Sequence, residues 1–226
     1  MTRLPRRGLL WLLDYTYVAW WQAHGLLFRS DETAYLDPDA GGQPVVLLPG
    51  IYERWQFMRP VADLLHDRGH PVHVVARLRW NTSPVDASAQ LVADYLEEHD
   101  LRGVLLVAHS KGGLIGKSVM LHEEAGRRVD RMVAIATPFS GSVYARLFLL
   151  PAVRALSPRD RTLRSLAEQL EVNSRITSIW GAFDPHIPGG SHLEGATNVR
   201  LRTSGHFRIL GRPELLDAVA RATPTR

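Results

Sequence analysis

Residues 103–113 read Gly-Val-Leu-Leu-Val-Ala-His-Ser-Lys-Gly-Gly, and this stretch decides the fold. Its first half is a continuous apolar run, which is typical of a strand buried on both faces of a parallel sheet. The run ends at His109-Ser110-Lys111, and a helix that opens on two glycines follows at once. Strand and helix backbones nearly touch in so tight a turn, and Gly112 supplies the small residue needed there.

The turn pushes the Ser110 hydroxyl beyond the carboxyl end of the strand. We interpret it as a nucleophile elbow of the G-x-S-x-G type, with Ala108 in place of the first glycine. A serine before a helix is also a common N-cap. The apolar strand, the His-Ser dipeptide and the double glycine together favour the elbow.

Short apolar runs alternate with helical spacing along the rest of the chain. We predict strands over residues 44–49, 71–76, 104–108, 131–136, 175–181 and 197–201, and helices over residues 55–68, 86–99, 112–126, 159–170 and 213–222. This alternation implies parallel pairing and right-handed crossovers. The predicted class is α/β, a doubly wound, mostly parallel sheet with helices on both faces.

The alternation breaks after Ala136. Residues 139–172 hold an apolar patch and then a basic helical stretch, which predicts a helical cap over the strand ends. Ordinary helices on the flank of the sheet are the alternative. We divide the chain into an apolar, aromatic amino-terminal helix with its connection, residues 1–43, and a main domain, residues 44–226, that includes the cap-like insert.

Composition limits the function classes. A chain of 226 residues supports one domain with a full-sized core. It has no cysteine, so disulfides, thiolate chemistry and cysteine-ligated metals are excluded. The positive charges are almost all arginines scattered along the chain, with no basic patch interleaved with aromatic residues, so we expect no nucleic-acid partner.

Residues 8–28 form an apolar, aromatic stretch behind three arginines. A signal peptide begins like this, but Asp14 interrupts the run and no clean cleavage site follows. A carboxylate is also costly at the centre of a bilayer. The tryptophans and tyrosines suit peripheral contact with a membrane surface, and packing on the domain or on a second copy is the equal alternative.

These features leave the compartment and the oligomeric state undecided. We expect a protein that is cytoplasmic or peripheral at the membrane. Secretion with an uncleaved amino-terminal segment stays open as an alternative.

A serine hydroxyl needs a base to take its proton and a carboxylate to orient that base. Asp184 directly follows the predicted strand 175–181, in Asp-Pro-His-Ile-Pro, and is the candidate acid; Glu194 is the alternative. His206 follows the last predicted strand, and Gly205 lets the backbone bend there. We therefore prefer His206 as the base over the other downstream histidines, which are His122, His186 and His192.

Two backbone N–H groups would form the oxyanion hole. The first belongs to Lys111, at the start of the helix after the elbow. The second is expected from Ile51, because Gly50 lets the loop after the first strand turn inward. A simple Pro-Gly turn that ends the strand is the alternative.

With these motifs in place, residues 44–210 resemble the α/β-hydrolase superfamily and, within it, bacterial triacylglycerol lipases and esterases. The resemblance rests on residues 48–51, 108–113, 137–142, 184–188 and 205–207. It implies Ser110 as nucleophile, Asp184 as orienting acid, His206 as base, and Ile51 and Lys111 as oxyanion donors. Pro49-Gly50 departs from the His-Gly that often precedes the oxyanion residue, and no calcium-binding set is recognisable.

The expected activity is hydrolysis of a lipid or acyl ester through an acyl-enzyme, with no metal or organic cofactor. Five residues are candidates for substrate contact: Tyr52, His109, Phe139, Leu147 and Phe148. An acyltransferase or thioesterase would use the same triad. A non-catalytic lipid-binding scaffold on the same fold is an alternative from another class.

Overall fold

Six parallel strands form one sheet in the computed structural model, which describes residues 3–27, 31–36, 41–147 and 150–223. The strands are β1 (Val45–Leu48), β2 (Val72–Val74), β3 (Val104–His109), β4 (Val129–Ile135), β5 (Ile176–Trp180) and β6 (Thr197–Arg200). Their order is β2-β1-β3-β4-β5-β6, and each neighbouring pair is parallel. The order reverses between β1 and β3, and ligands of open parallel sheets bind at such a reversal, beyond the carboxyl ends of the strands.

Helices cover both faces of the sheet. They are α1 (Arg3–Leu27), α2 (Arg59–Asp67), α3 (Val85–Glu98), α4 (Lys111–Leu121), α5 (Glu123–Arg128), α6 (Pro151–Arg154), α7 (Arg161–Glu168) and α8 (Pro213–Ala222). The core of one face joins β-strand side chains to α3, α4, α5 and α7, and the core of the other joins them to α1, α2 and α8. The predicted doubly wound α/β class is confirmed.

Two predicted helices differ in detail from those observed. The predicted helix 112–126 is broken at His122, whose backbone is extended, with φ −70° and ψ 133°. A second helix begins there with Glu123 and Glu124 in its first turn and two arginines in its last, a distribution that suits the helix dipole. The predicted helix 55–68 begins as a 3₁₀ turn, Trp55–Met58, and continues as α2.

The amino-terminal helix α1 packs on the domain through one face. Tyr17, Val18 and Trp21 lie against the core that α2 and α8 also cover. The opposite face is apolar yet exposed, with Leu9 at 54 % and Trp20 at 66 %. Of the helices in the described part of the chain, none combines the length and the apolar character needed to cross a membrane.

The segment predicted as a cap divides into two parts. The 3₁₀ turn Val143–Leu147 and α6 lie over the carboxyl ends of the strands and contribute to a cavity there. Helix α7 packs against α4 instead, with Leu163 and Leu166 buried in the core. Only the first part of the insert therefore lies where it can shape a binding site.

Candidate active site

The turn between β3 and α4 holds Ser110 in a strained conformation. Its φ of 50° and ψ of −121° are unusual for a residue with a side chain, and such strain is concentrated at functional sites. Close packing enforces the turn, because a Cβ at Gly112 would overlap the carbonyl oxygen of Leu48. A Cβ at Gly113 would overlap the side chain of Thr137. The elbow geometry is thus fixed by contacts with β1 and with the loop after β4.

A continuous hydrogen-bonded chain joins Ser110, His206 and Asp184. His206 Nε2 lies 3.0 Å from Ser110 Oγ, and His206 Nδ1 lies 2.8 Å from Asp184 Oδ2. All three residues are buried, each at 4 % exposure. A carboxylate can only accept, so Nδ1 carries a proton and Nε2 is free to accept the serine proton.

Backbone groups hold the Asp184 carboxylate. Its Oδ1 accepts hydrogen bonds from the N–H groups of His186 at 2.7 Å and Ile187 at 2.9 Å. Burial raises the pKa of Asp184, but the facing His206 and these two donors outweigh it and bring the pKa below its usual value. The acid is therefore ionised and oriented toward the imidazole.

Burial and the neighbouring charges act in opposite directions on the pKa of His206. Burial lowers the pKa of the imidazole, whereas the carboxylate of Asp184, and less strongly those of Asp14 and Glu53, raise it; the net effect is a raised pKa. An imidazolium at this position is therefore stabilised by three carboxylates. Such stabilisation is what a base needs once it has accepted a proton.

The two predicted oxyanion donors belong to the residue that follows Ser110 and to a residue that lines the same cavity. Lys111 is the first residue of α4, and the first N–H groups of a helix have no carbonyl partner within it. Ile51 lines the same cavity as Ser110. The amides on either side of Ile51 are engaged, because Gly50 N–H donates to Glu53 Oε2 at 2.8 Å and Tyr52 N–H donates to the carbonyl of Trp80 at 2.8 Å.

The side chain of Lys111 turns away from the cavity and ties two loops together. Its buried ammonium donates to the carbonyls of Asn81, at 2.8 Å, and of Ser83. The Asn81 amide in turn donates to the carbonyl of Pro49 at 2.7 Å, at the start of the loop that carries Ile51. Burial lowers the pKa of Lys111 to about 8. Lys111 therefore connects the elbow, through Asn81, to the loop that carries Ile51.

Ser110 and His206 open into a largely apolar cavity of about 240 Å³. Its walls come from α1, the Ile51 loop, the insert and the loop after β5. The lining includes Tyr15, Val18, Gln22, Ile51, Tyr52, Phe57, Pro138, Tyr144, Ala145, Leu150, Val153, Leu156, His186, Ile187 and Phe207. Four of the side chains that line the cavity are also exposed to solvent and form its rim: Tyr15, Tyr52, Tyr144 and Leu150.

The structure places the predicted substrate-contact residues in different settings. Tyr52 lies on the cavity wall, 38 % exposed. Phe139 packs in the hydrophobic core, 5 % exposed. His109 is fully buried behind His206, where it contacts Glu53. Phe148 and the side chain of Leu147 lie outside the described residues.

The alternative acid and the other downstream histidines lie outside the hydrogen-bonded chain of Ser110, His206 and Asp184. Glu194, His122 and His192 are exposed. His186 lines the cavity, with its ring centroid 5.0 Å from that of His206. Burial, and then the neighbouring His206, lower the pKa of His186 to about 3, so its imidazole is neutral.

Two buried carboxylates in the site were not singled out as site residues from the sequence. Glu53 Oε2 lies 2.8 Å from both the Gly50 N–H and His109 Nδ1. Asp14, which the sequence shows as an interruption of an apolar helix, contacts the backbone of the His206 loop. A lone carboxylate on an apolar helix was a usable signal for Asp14, since buried charges require partners. Glu53 offered no comparable signal.

Within the described residues, no group of three or more histidine, aspartate or glutamate side chains is arranged to hold a metal ion. The serine and the imidazole of His206 line the cavity and can act on a substrate there.

Comparison with solved structures finds α/β-hydrolases. A lipase from Bacillus licheniformis, BlEst2 in its mature form, matches with a TM-score of 0.63 and 18 % identity over 84 % of this chain and 94 % of the lipase. Lipase B from Aspergillus fumigatus matches with a TM-score of 0.60 and 17 % identity over 80 % of this chain and 50 % of the lipase. An extracellular α/β-hydrolase from a Paenibacillus species matches with a TM-score of 0.56 and 16 % identity over 80 % of this chain and 99 % of the hydrolase.

No protein-family model and no curated protein sequence matches the chain. The structural matches therefore assign the fold. The chain has the α/β-hydrolase fold, as the motifs predicted.

Proposed function

We propose that this protein is a serine hydrolase that cleaves carboxylic esters with an apolar acyl group. The observation that carries the proposal is the hydrogen-bonded chain from Asp184 through His206 to Ser110, on a strained turn that faces an apolar cavity. A serine that served only as an N-cap would not need this chain, and Ser110 makes no side-chain capping hydrogen bond.

The reaction begins with attack of Ser110 Oγ on the ester carbonyl carbon. His206 Nε2, 3.0 Å away, accepts the hydroxyl proton as the carbon–oxygen bond forms. Negative charge then develops on the carbonyl oxygen, which the N–H groups of Ile51 and Lys111 stabilise. Asp184 stabilises the imidazolium without taking the proton.

Collapse of this intermediate breaks the bond to the alcohol, which leaves with the proton from His206. Water then enters, gives a proton to His206 and attacks the acyl-serine carbon. A second tetrahedral intermediate collapses to the carboxylic acid, and the proton returns to Ser110 Oγ.

Cavity size and lining support an acyl group of short to medium length. The volume of about 240 Å³ is slightly below the range of roughly 300–1,000 Å³ that is typical of small-molecule sites. Val18, Phe57 and Leu156 present hydrocarbon to the acyl chain.

The exposed apolar side chains around the rim support delivery of the substrate from a lipid surface. The insert contributes Tyr144, 40 % exposed, and Leu150, 49 % exposed. The outer face of α1 adds Leu12, 62 % exposed, and Trp20, 66 % exposed. Apolar side chains with tryptophan and tyrosine suit the boundary between headgroups and acyl chains, so we place this side of the protein against a membrane.

The test is turnover of p-nitrophenyl acetate, butyrate, octanoate and palmitate, together with labelling by a fluorophosphonate. We expect butyrate or octanoate to be preferred, Ser110→Ala to abolish turnover and labelling, and the control Ser165→Ala, at an exposed serine on α7, to retain both. Labelling that persists in Ser110→Ala, or an unreactive wild-type protein, would overturn the proposal.

The same assay separates hydrolysis from acyl transfer. Free carboxylic acid as the main product in the presence of added alcohol supports the hydrolase. A transesterified product, or a strong preference for thioesters, would instead favour the acyltransferase or thioesterase alternative.

A further inference from the structure

Asp14, in the middle of α1, is fully buried and accepts hydrogen bonds from the backbone of the His206 loop. Its Oδ1 accepts from the N–H groups of His206, Phe207 and Arg208, each at 3.0 Å. Its Oδ2 lies 3.1 Å from the same His206 nitrogen. Three consecutive backbone donors thus converge on one carboxylate from an element 192 residues away.

The loop is built to receive this carboxylate. The three donors lie at the start of the 3₁₀ helix Arg208–Gly211, where N–H groups have no partner within the helix. Gly205 precedes them with a φ of +124°, and a Cβ there would stand 2.8 Å from Asp14 Oδ1. Glycine is therefore needed at this position both for its backbone conformation and for the close approach of Asp14.

The buried pair His109–Glu53 holds His206 from the side opposite Asp14. His109 Nε2 donates to the carbonyl oxygen of His206 at 2.9 Å, and His109 Nδ1 lies 2.8 Å from Glu53 Oε2. The peptide groups on both sides of the His206 Cα are therefore fixed, the preceding one by Asp14 and the following one by His109. With the Cα held, the imidazole stays within 3.0 Å of Ser110 Oγ.

We propose that Asp14 is a positioning residue, through which the amino-terminal helix holds the general base in place for catalysis. The proposal rests on the proposed hydrolase function, since it assigns a role relative to His206 as the base. It makes α1 part of the catalytic structure. It also explains why the one carboxylate of α1 stands in the apolar part of the helix.

Two substitutions at Asp14 separate geometry from charge. Asp14→Asn keeps one acceptor oxygen for the three Oδ1 hydrogen bonds and removes the charge, whereas Asp14→Ala removes both. The matched control is Thr16→Ala, on the exposed side of α1, where the hydroxyl contacts only the carbonyl of Leu13 among the described hydrogen bonds. Kinetics with p-nitrophenyl butyrate are normalised to folded protein, measured by near-ultraviolet circular dichroism.

We expect Asp14→Ala to lower kcat by about 100-fold, the size of effect that a misplacement of roughly 1 Å produces, with little change in KM. Asp14→Asn should lower kcat less and shift the acid limb of the kcat/KM profile to lower pH, because the Asp14 charge raises the pKa of His206. Thr16→Ala should match the wild-type protein. Unchanged kcat and an unchanged acid limb in Asp14→Asn, even with a lowered melting temperature, would overturn the proposal.

A nuclear magnetic resonance readout keeps this test independent of turnover. With ¹⁵N-labelled histidine, the Nδ1–H resonance of His206 reports its contact with Asp184, and we expect Asp14→Asn to shift both this resonance and its pH midpoint. An unreactive wild-type protein would refute the hydrolase function alone. A His206 resonance identical in the two proteins would refute the role of Asp14.

Discussion

Replacement of Asp184 by asparagine tests the hydrogen-bonded chain at its buried end. In the structure, Oδ1 faces two backbone donors, the N–H groups of His186 and Ile187, while Oδ2 faces His206 Nδ1 at 2.8 Å. An asparagine keeps its oxygen toward the two donors, because an NH₂ group there would meet two N–H groups. Its NH₂ group then donates to Nδ1, which leaves the imidazole proton on Nε2.

That tautomer cannot accept a proton from Ser110. The loss expected from a base in the wrong tautomer is about 10⁴-fold in kcat. At about 1.36 kcal/mol per factor of ten, this is roughly 5.4 kcal/mol of activation free energy. The fold should be retained, since the side-chain volume and the two backbone hydrogen bonds are unchanged.

The assay is kcat and KM for p-nitrophenyl butyrate at neutral pH. Glu194→Gln is the matched control, because Glu194 is the alternative acid named from the sequence and is exposed in the structure. We expect Glu194→Gln to retain wild-type kcat. An Asp184→Asn variant with more than a tenth of wild-type kcat, or a large loss in Glu194→Gln, would refute the reasoning.

Three further predictions concern pH, packing and lipid contact. Burial lowers the pKa of His206, but the facing carboxylates, Asp184 foremost, raise it above its ordinary value of 6.5. Since the neutral imidazole is the base, kcat/KM should increase with pH through a midpoint above 6.5, and a midpoint below that value would contradict this prediction. Gly112→Ala should lower the free energy of unfolding, measured in urea, by about 1–3 kcal/mol, whereas the control Gly189→Ala, where a Cβ meets open space, should leave it unchanged. Equal stabilities of the two variants would contradict the close packing at Gly112. Trp20→Ser should weaken binding to phosphatidylglycerol vesicles by about tenfold while hydrolysis of soluble butyrate is unchanged, and undiminished vesicle binding would count against the lipid surface.

Much of the fold was predictable because its signals are local. All six strands were predicted to within a few residues. The signal is clearest for β1 and β3, which are buried throughout, because a strand buried on both faces of a parallel sheet is typically a short apolar run. The elbow was recognisable because its tight turn demands glycine at two positions where a Cβ would overlap Leu48 or Thr137. The three residues predicted to form a triad meet in the structure because each follows the end of a strand in one parallel sheet.

Other features could not be predicted from local patterns. An apolar residue such as Phe139 has the same appearance in sequence whether it packs in the core or faces a substrate, and only the tertiary packing places it in the core. For α1, the sequence allowed packing or membrane contact equally. The structure shows that one face packs on the domain and that the other is exposed.

The amino-acid sequence by itself determined the parallel sheet, the strained turn at Ser110 and the order of the loops, because periodicity, glycine and strand length act over a few residues. Only the tertiary structure decided that Asp14 and the Glu53–His109 pair hold the two sides of His206. A buried carboxylate must find hydrogen-bond donors, but its sequence neighbours do not specify which ones. That choice is made when α1 packs against the loop, 192 residues further along the chain.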